Sequence, residues 1–590
     1  MKKLLALLLA LALTFSLASC LAIGDSLGDA LGSGSGDGDG TAGDGDGDGT
    51  GSGGAAQEIK KEVYWDETEL IFEINENSVF GELYTSGRRL YAGDVEDRSA
   101  TIDRLVAERN GAAEAFAKVK VRYKYLPDAG GEYSRGYNIQ RIRTETATYT
   151  PGESTDIYSN FTYDLTCAAL SGSLANLKTA SYGEGNNFYP FFGDAEDAEG
   201  YYYDYMKSIT LSDDKMYLIA SEYTSDFVRS LLVIPVNLSL MNSIPEDKLP
   251  TERLEKNAEE SNYAHFQRLV YSGNWDYAAL AKYSNAVFVD SNTENTAQNG
   301  TANYGDVLGF AFNGDSSAPA KGLLYSSGVN ILNRVAREGE SGKYDFLYPE
   351  TNGALIAFTD ALAKLVSENA SGGICEVTQA DTGATTSYLG VRSEFVSSKI
   401  LFGTISSLAW LENESYSEMK ANGSLGIAPI PDHNIDDGIA PNTVAATYAH
   451  MLAVAARTDK FEQCSAYLNY QSQNSSDVLR EYYSSSFDTV KEGESTVGNT
   501  DMLLFIDSRV DQGLDLLVEE LTRYQESPPN STPVYRHWDT YLRVHGLVAP
   551  DMEGQYSDLR GGKEWDMQLI LESWERIPVD APAADTGNNE

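Results

Sequence analysis

Residues 101–125 hold the tightest constraint in the chain, because an amphipathic helical stretch there runs straight into a strand. Ile102, Leu105, Val106, Ala113 and Phe116 recur at helical spacing, with Arg104, Glu108 and Arg109 outside the stripe. Directly behind them Val119, Val121, Tyr123 and Tyr125 alternate with Lys118, Lys120, Arg122 and Lys124, a period of two that marks a strand. Earlier, Leu70-Ile71-Phe72-Glu73-Ile74 has the β-branched and aromatic density of another strand and ends in the polar Asn75-Glu76-Asn77. Strand, helix, strand in that order predicts an α/β fold with crossover helices.

The pattern recurs along the chain. Leu355, Phe358, Thr359, Leu362, Leu365 and Val366 predict an amphipathic helix opening near Pro349-Glu350-Thr351. Phe461, Cys464 and Leu468 predict another after Thr458-Asp459, preceded by the apolar Met451-Leu452-Ala453-Val454. The polar stretch from Ser291 to Asn303 reads as a loop. No internal repeat of solenoid type is evident. With 590 residues, 42% of them hydrophobic, the chain can form several domains or one large two-lobed body. Its 44 Lys and Arg face 88 Asp and Glu, a net charge of −44. Nucleic-acid binders draw affinity from clustered cations on phosphates, so this charge argues against a nucleic-acid partner.

The first sixty residues have their own logic. Lys2 and Lys3 precede the apolar run Leu4 to Leu13, which is too short for a membrane span and reads as a secretion signal. Leu17-Ala18-Ser19-Cys20 resembles a bacterial lipobox, which implies cleavage before Cys20 and lipid attachment to its sulfur. From Gly24 to Gly54 the chain is nearly all Gly, Asp, Ser and Ala, a flexible and self-repelling tether. Asp44-Gly45-Asp46-Gly47-Asp48-Gly49 matches the first half of a calcium loop, but its last ligand position is Ala55, so a solvated spacer is expected and no metal. Cys167, Cys375 and Cys464 form no ligand-like cluster; they permit at most one disulfide and read as small apolar residues.

Several segments in this order carry a family resemblance. They are Ile102 to Asn110 followed by Val119-Lys120-Val121, then Asp156-Ile157-Tyr158 through Leu170-Ser171-Gly172-Ser173-Leu174-Ala175-Asn176-Leu177. Gly273-Asn274-Trp275-Asp276-Tyr277, Tyr304-Gly305-Asp306, and Ile400-Leu401-Phe402-Gly403 through Ala409-Trp410 to Pro429-Ile430-Pro431 follow. Together they resemble the extracellular solute-binding lipoproteins of ABC importers, of the carbohydrate-type, periplasmic-binding-protein-like family, over most of Lys61 to Asp511. The resemblance implies a two-lobed α/β fold of type II with a hinge between lobes, and a ligand held in the interlobe cleft. Residues 1–19 would be the signal peptide, 20–57 the lipidated cysteine and linker, and 58–590 the body. Lobe 1 would comprise about 58–165 and 432–480, lobe 2 about 178–431 and 481–580, with crossings near Leu177 and Pro431. The expected partners are a small solute of oligosaccharide type, the ABC permease subunits, and the membrane through the lipid anchor. The chain is expected to act as a monomer on the outer face of the cytoplasmic membrane, without a cofactor.

A sugar offers C–H faces and a ring of hydroxyls, so its site combines aromatic platforms with amides, carboxylates and hydroxyls. In the resembled family the tryptophan after the apolar strand lines the cleft, which points to Trp410; the alternative is a packed core Trp. Asn160 and Tyr163 follow the strand Asp156-Ile157-Tyr158, Tyr223 follows Met216 to Ala220, and Asp315 and Ser316 follow Phe310-Ala311-Phe312-Asn313. All five lie in strand-end loops, where ligand residues of α/β sheets gather and where solvated turns are equally at home. Trp275, at a helix opening, reads as a staple. No catalytic residue is assigned: there are five histidines, no HExxH and no GxSxG, and GxGxxG occurs only in the tether. A surface glycoside hydrolase needs only two suitably spaced carboxylates and stays open as the alternative, as does an adhesin or scaffold lipoprotein.

Overall fold

The computed structural model describes residues 57–59, 68–76, 87–95, 98–127, 133, 135–178, 199–291, 304–312, 318–347, 349, 351–369, 373–377, 386–446, 448–489, 498–515, 517 and 570–577. The leader, Cys20, the tether with its calcium-like run, and the polar stretch 292–303 lie outside them, as do Asp315 and Ser316. In chain order the strands are β1 (Gln57–Ile59), β2 (Thr68–Asn75), β3 (Val119–Leu126), β4 (Ile157–Phe161), β5 (Leu232–Asn237), β6 (Leu308–Phe312) and β7 (Asn333–Ala336). They continue with β8 (Tyr344–Leu347), β9 (Ile374–Glu376), β10 (Ile400–Phe402), β11 (Ser406–Ser407), β12 (Leu425–Ala428) and β13 (His450–Val454).

Two sheets organise the body. The first has the order β1-β3-β2-β4-β13; β2 runs parallel to β3 and β4, and β13 closes the edge antiparallel to β4. The second has the order β11-β5-β10-β6-β9, with β12 also on β5; β10, β6 and β9 are parallel and β5 opposes them. Parallel neighbours need crossover connections, and the helices Thr101–Ala117, Asn138–Ala147 and Tyr388–Val396 supply them. This is the two-lobed α/β arrangement the resemblance implies.

The strand-helix unit at 101–125 forms as expected, with two differences. Ile102, Val106 and Ala113 are buried, but Phe116 is 53% exposed, and Arg109, expected outside the stripe, is 6% exposed. Its guanidinium lies over the Tyr223 ring and donates to Ser475 Oγ and Leu90 O, partners distant in sequence that no local period reveals. The alternating cations of β3 do not face open water either. Lys120 meets Glu114 at 2.9 Å, Arg122 meets Glu69 at 3.1 Å and Lys124 meets Glu73 at 3.0 Å. Glu73 is fully buried mid-strand in β2 and is held from the other side by both terminal nitrogens of Arg141, at 2.7 and 2.6 Å. Burial alone would raise its carboxyl, and Arg141 and Lys124 outweigh that and keep it below the ordinary value. The helix Gly353–Asn369 buries Leu355, Phe358, Thr359, Leu362, Leu365 and Val366, as the period predicts, and Asn352 Oδ1 caps it on Leu355 N at 3.0 Å.

The chain crosses between sheets later than the resemblance implies. Leu177 N donates to Met216 O and Leu174 bridges Ala455, so both stay with the first sheet. The first crossing lies between Ile219, which bridges Leu452, and Leu231, which bridges Ala445 on the return crossing. The short helix Ser225–Arg229 sits in it. Pro431 precedes Asp432, which still bridges Asp276 of the second lobe. A third passage follows Phe487, where Asn499 Nδ2 donates to both Phe487 O and Leu425 O, at 2.8 and 3.0 Å. No two of Cys167, Cys375 and Cys464 are bonded to each other, and the first and last are buried. Among the described residues no helix is long and apolar enough to cross a membrane.

Asp156, fully buried just before β4, gathers the first lobe. It accepts from Ile71 N at 2.8 Å, Tyr149 OH at 2.7 Å, Thr458 Oγ1 at 2.7 Å and Lys460 Nζ at 2.9 Å. Asp156→Ala would leave a buried ammonium and amide unpaired, so it should cost roughly 3–5 kcal/mol of stability, measured by urea unfolding. A loss near zero would show that this node does not carry the lobe.

Candidate functional site at the lobe junction

Open α/β sheets bind ligands beyond the carboxyl ends of their parallel strands. In the first lobe β2 ends on Asn75, whose Nδ2 donates to Asn160 Oδ1 at 3.0 Å and to Tyr133 O at 2.9 Å. Asn160 is fully buried; its Oδ1 also accepts from Phe161 N, while its Nδ2 has no hydrogen-bond partner. Tyr163 stands in the first turn of the helix Thr162–Leu170 and is 2% exposed. Above it runs the 135–138 loop, where Gly136 adopts φ +95°, a conformation that favours glycine. Asp164 pins that loop by accepting from Gly136 N and Asn138 N, both at 2.9 Å. Burial pushes its carboxyl up to about 6, against the pull of those amides.

The second lobe brings aromatic residues to the same place. β11 follows the carboxyl end of β10 and leads into the 3-10 turn Leu408–Glu412 with Trp410 half-buried at its centre. The Tyr388 ring lies 5.0 Å from the Trp410 ring, tilted by 50°. Tyr448, on the return crossing, has Ser407 and Trp410 as its polar neighbours, and burial raises its hydroxyl. The two lobes meet here through one peptide: Ala449 O accepts from Thr162 N at 2.9 Å and from Thr162 Oγ1 at 2.8 Å. Thus the 448–449 segment links Trp410 to Thr162, the residue before Tyr163. Ser406 Oγ, Ser407 Oγ and Tyr388 OH are buried without a well-formed hydrogen bond. Ser406 and Tyr416 are the polar neighbours of Tyr388, and Ser407 is one of Tyr448's, so these hydroxyls also face one another.

The structure therefore sets Trp410 beside Tyr388 and Tyr448 and ties that cluster through Ala449 to Thr162, the residue before Tyr163, while Asn160 lies within β4 and pairs with Asn75. Asn75 stands in the polar trio that ends the first expected strand, and Tyr448 comes just before the apolar run of β13; both were visible only as strand ends. Tyr223 belongs elsewhere. It is 1% exposed, with Tyr91 at 5.2 Å, Phe72 at 6.4 Å and Tyr467 at 6.5 Å, and it packs in the first-lobe core. Trp275 is also buried, its Nε1 donating to Pro429 O at 2.9 Å. A groove of about 790 Å³ lies between the helices Tyr277–Val287 and Gly353–Asn369, away from these residues. Among the described residues no group of three or more His, Cys, Asp or Glu is placed to hold a metal. Aromatic faces beside amide and hydroxyl groups suit a neutral, hydroxylated ligand with apolar faces.

No family model and no curated protein matches the chain. Similar solved structures include the galacto-N-biose-/lacto-N-biose I-binding protein of the ABC transporter from Bifidobacterium longum, in complex with lacto-N-biose. It is 11% identical, with 87% of this chain and 99% of that one covered and a TM-score of 0.42. A family 1 extracellular solute-binding protein from Bifidobacterium longum subsp. infantis is 13% identical, at 86% and 99% coverage and a TM-score of 0.40. The GacH receptor of Streptomyces glaucescens, solved unliganded and with acarbose, is 14% identical, at 85% and 98% coverage and a TM-score of 0.37.

His450 borders the junction, its ring 4.4 Å from Phe161 and its Nδ1 3.9 Å from Asp226 Oδ2. Burial lowers its imidazole to about 4, with Asp226 opposing and Arg229 assisting. The folded state thus keeps it neutral while the unfolded chain takes up a proton near 6.5, so its contribution to stability is lost as pH falls from about 6.5 to about 4. Asp164 has the opposite sign, which makes a variant comparison necessary. The unfolding free energy of the native chain should fall more steeply over that window than that of His450→Gln; parallel profiles would refute it.

Proposed function

We propose that the chain is the substrate-binding component of an ABC importer, anchored by lipid at Cys20 on the outer face of the cytoplasmic membrane. It captures a small solute of oligosaccharide type between the lobes and hands it to the membrane permease. One observation supports the reading: Trp410 and Tyr388 of one lobe lie beside Tyr448 of the return crossing, and the next residue, Ala449, is held by Thr162 at the carboxyl end of β4 in the other. Such a site binds most tightly when both lobes touch the ligand, so the ligand draws the population toward the closed arrangement. The Gly and Asp tether keeps the body clear of the bilayer, and two or more acyl chains hold it there stably.

Glycans screened by thermal shift test the ligand class, since about 100 times Kd stabilises the native state by about 2.7 kcal/mol. A raised Tm with some oligosaccharide and no turnover is expected; turnover would favour the hydrolase instead. With that glycan, Trp410→Ala should weaken binding by about 1–3 kcal/mol, as aromatic anchors do. Stability without ligand should stay near native; a loss of roughly 3–5 kcal/mol would make Trp410 a core residue. Cys20→Ala should appear in the medium rather than in the membrane fraction, and retention of that variant would defeat the anchor.

A further inference from the structure

The turn that carries Trp410 ends in Glu412, and three elements converge on its carboxylate. Arg229, in the first crossing, grips it with Nε on Oε1 at 2.8 Å and Nη2 on Oε2 at 2.7 Å. Tyr482, on the helix Ser476–Phe487 that packs against the first lobe, donates its hydroxyl to Oε1 at 2.5 Å. The third guanidinium nitrogen, Nη1, holds Asp226 Oδ1 at 3.0 Å within the same short helix. Arg229 is 8% exposed and Tyr482 6%. Burial alone would lower the guanidinium, and the Glu412 and Asp226 carboxylates beside it hold it well above its ordinary value. On its other side the turn is fastened to its own lobe, where Lys420 Nζ donates to Leu411 O and Glu412 O at 3.3 and 3.4 Å.

We propose that Arg229 and Glu412 are positioning residues for the Trp410 platform, transmitting rotation at the hinge to the ring that contacts ligand. A bidentate fork fixes direction as well as distance, which a flexible ammonium cannot do. Any rotation of the crossing helix Ser225–Arg229 against the second lobe must either drag the 408–412 turn or break the fork. Tyr482 adds a contact from the first lobe to the same oxygen, so the turn senses both bodies. This rests on the reading of Trp410 as a ligand contact, but its first test needs no ligand.

Trp410 emission is isolated as the difference between each protein and the same protein carrying Trp410→Phe. In Arg229→Lys, which keeps the charge and loses the fork, that emission should shift and acrylamide quenching of it should rise, with far-ultraviolet circular dichroism unchanged. Tyr482→Phe should move it less. Should Arg229→Lys fail to fold, the double variant Arg229→Met/Glu412→Met, which buries no unpaired charge from this pair, carries the same measurement. Unchanged Trp410 emission and quenching in a folded variant overturns the proposal. Where the wild type binds a glycan, affinity in Arg229→Lys should fall about tenfold, in the range seen for coupled neighbours, and native affinity would also overturn it. A wild type that binds no glycan defeats the oligosaccharide reading alone, because the emission measurement still decides the role of Arg229.

Discussion

The antiparallel pairing of the two crossing segments governs the rest of the molecule. Ile219 with Leu452 holds them together at the first sheet and Leu231 with Ala445 holds them at the second. Because the return segment becomes β13, the first sheet is closed by a strand that has already passed through the second lobe. That geometry places Tyr448 and Ala449 between the lobes and brings Thr162 against them. The candidate site is therefore a product of connectivity, its walls drawn from a helix start, a 3-10 turn and a crossing segment that the two sheets hold in place.

Charge is handled differently inside and outside. The chain is strongly acidic overall, but the buried Glu73 and Asp156 and the half-buried Glu412 are individually answered. Glu73 has Arg141 and Lys124, Asp156 has Lys460 and two hydroxyls, and Glu412 has Arg229. Breaking one partner of such a set leaves a charge without compensation, whereas replacing a whole set is far milder. Asp507 differs: it accepts from Tyr202 and Tyr483, and burial pushes its carboxyl up to about 7. Its folded form gains stability from protonation, so this group favours the native state below its ordinary pKa and loses that advantage as pH rises through about 7.

What the sequence made legible was periodic. The alternation at 119–125 and the stripe at 355–366 define a strand and a helix because one face of each is buried against a neighbour, and burial leaves a period in the residues. The acids that cover the β3 cations left no such mark, since Glu69 and Glu73 come from another strand. Arg109 and Tyr223 meet only in three dimensions, and a guanidinium over a buried tyrosine has no signature in either segment. At the junction, Trp410 could be singled out from its place after a strand, whereas Asn160 lies inside β4, paired with Met451, and not in the loop that the sequence suggested. Tyr388 and Tyr448 could not, because a helix start and a crossing segment carry no pattern that distinguishes a ligand wall from a packing contact.

The late arrival of β13 sets an order of assembly. Strands β2, β3 and β4 are complete by Phe161, yet the partner that covers the β4 edge begins at His450. Until that residue exists, the edge of β4 offers unpaired amides to any extended chain nearby. Closure of so long a loop is slow and leaves partly built sheets exposed while it proceeds. A chain delivered from its amino end must therefore hold its first sheet unfinished until every strand of the second has passed, and a shielding factor for that interval would have to recognise a bare strand edge and not a finished surface.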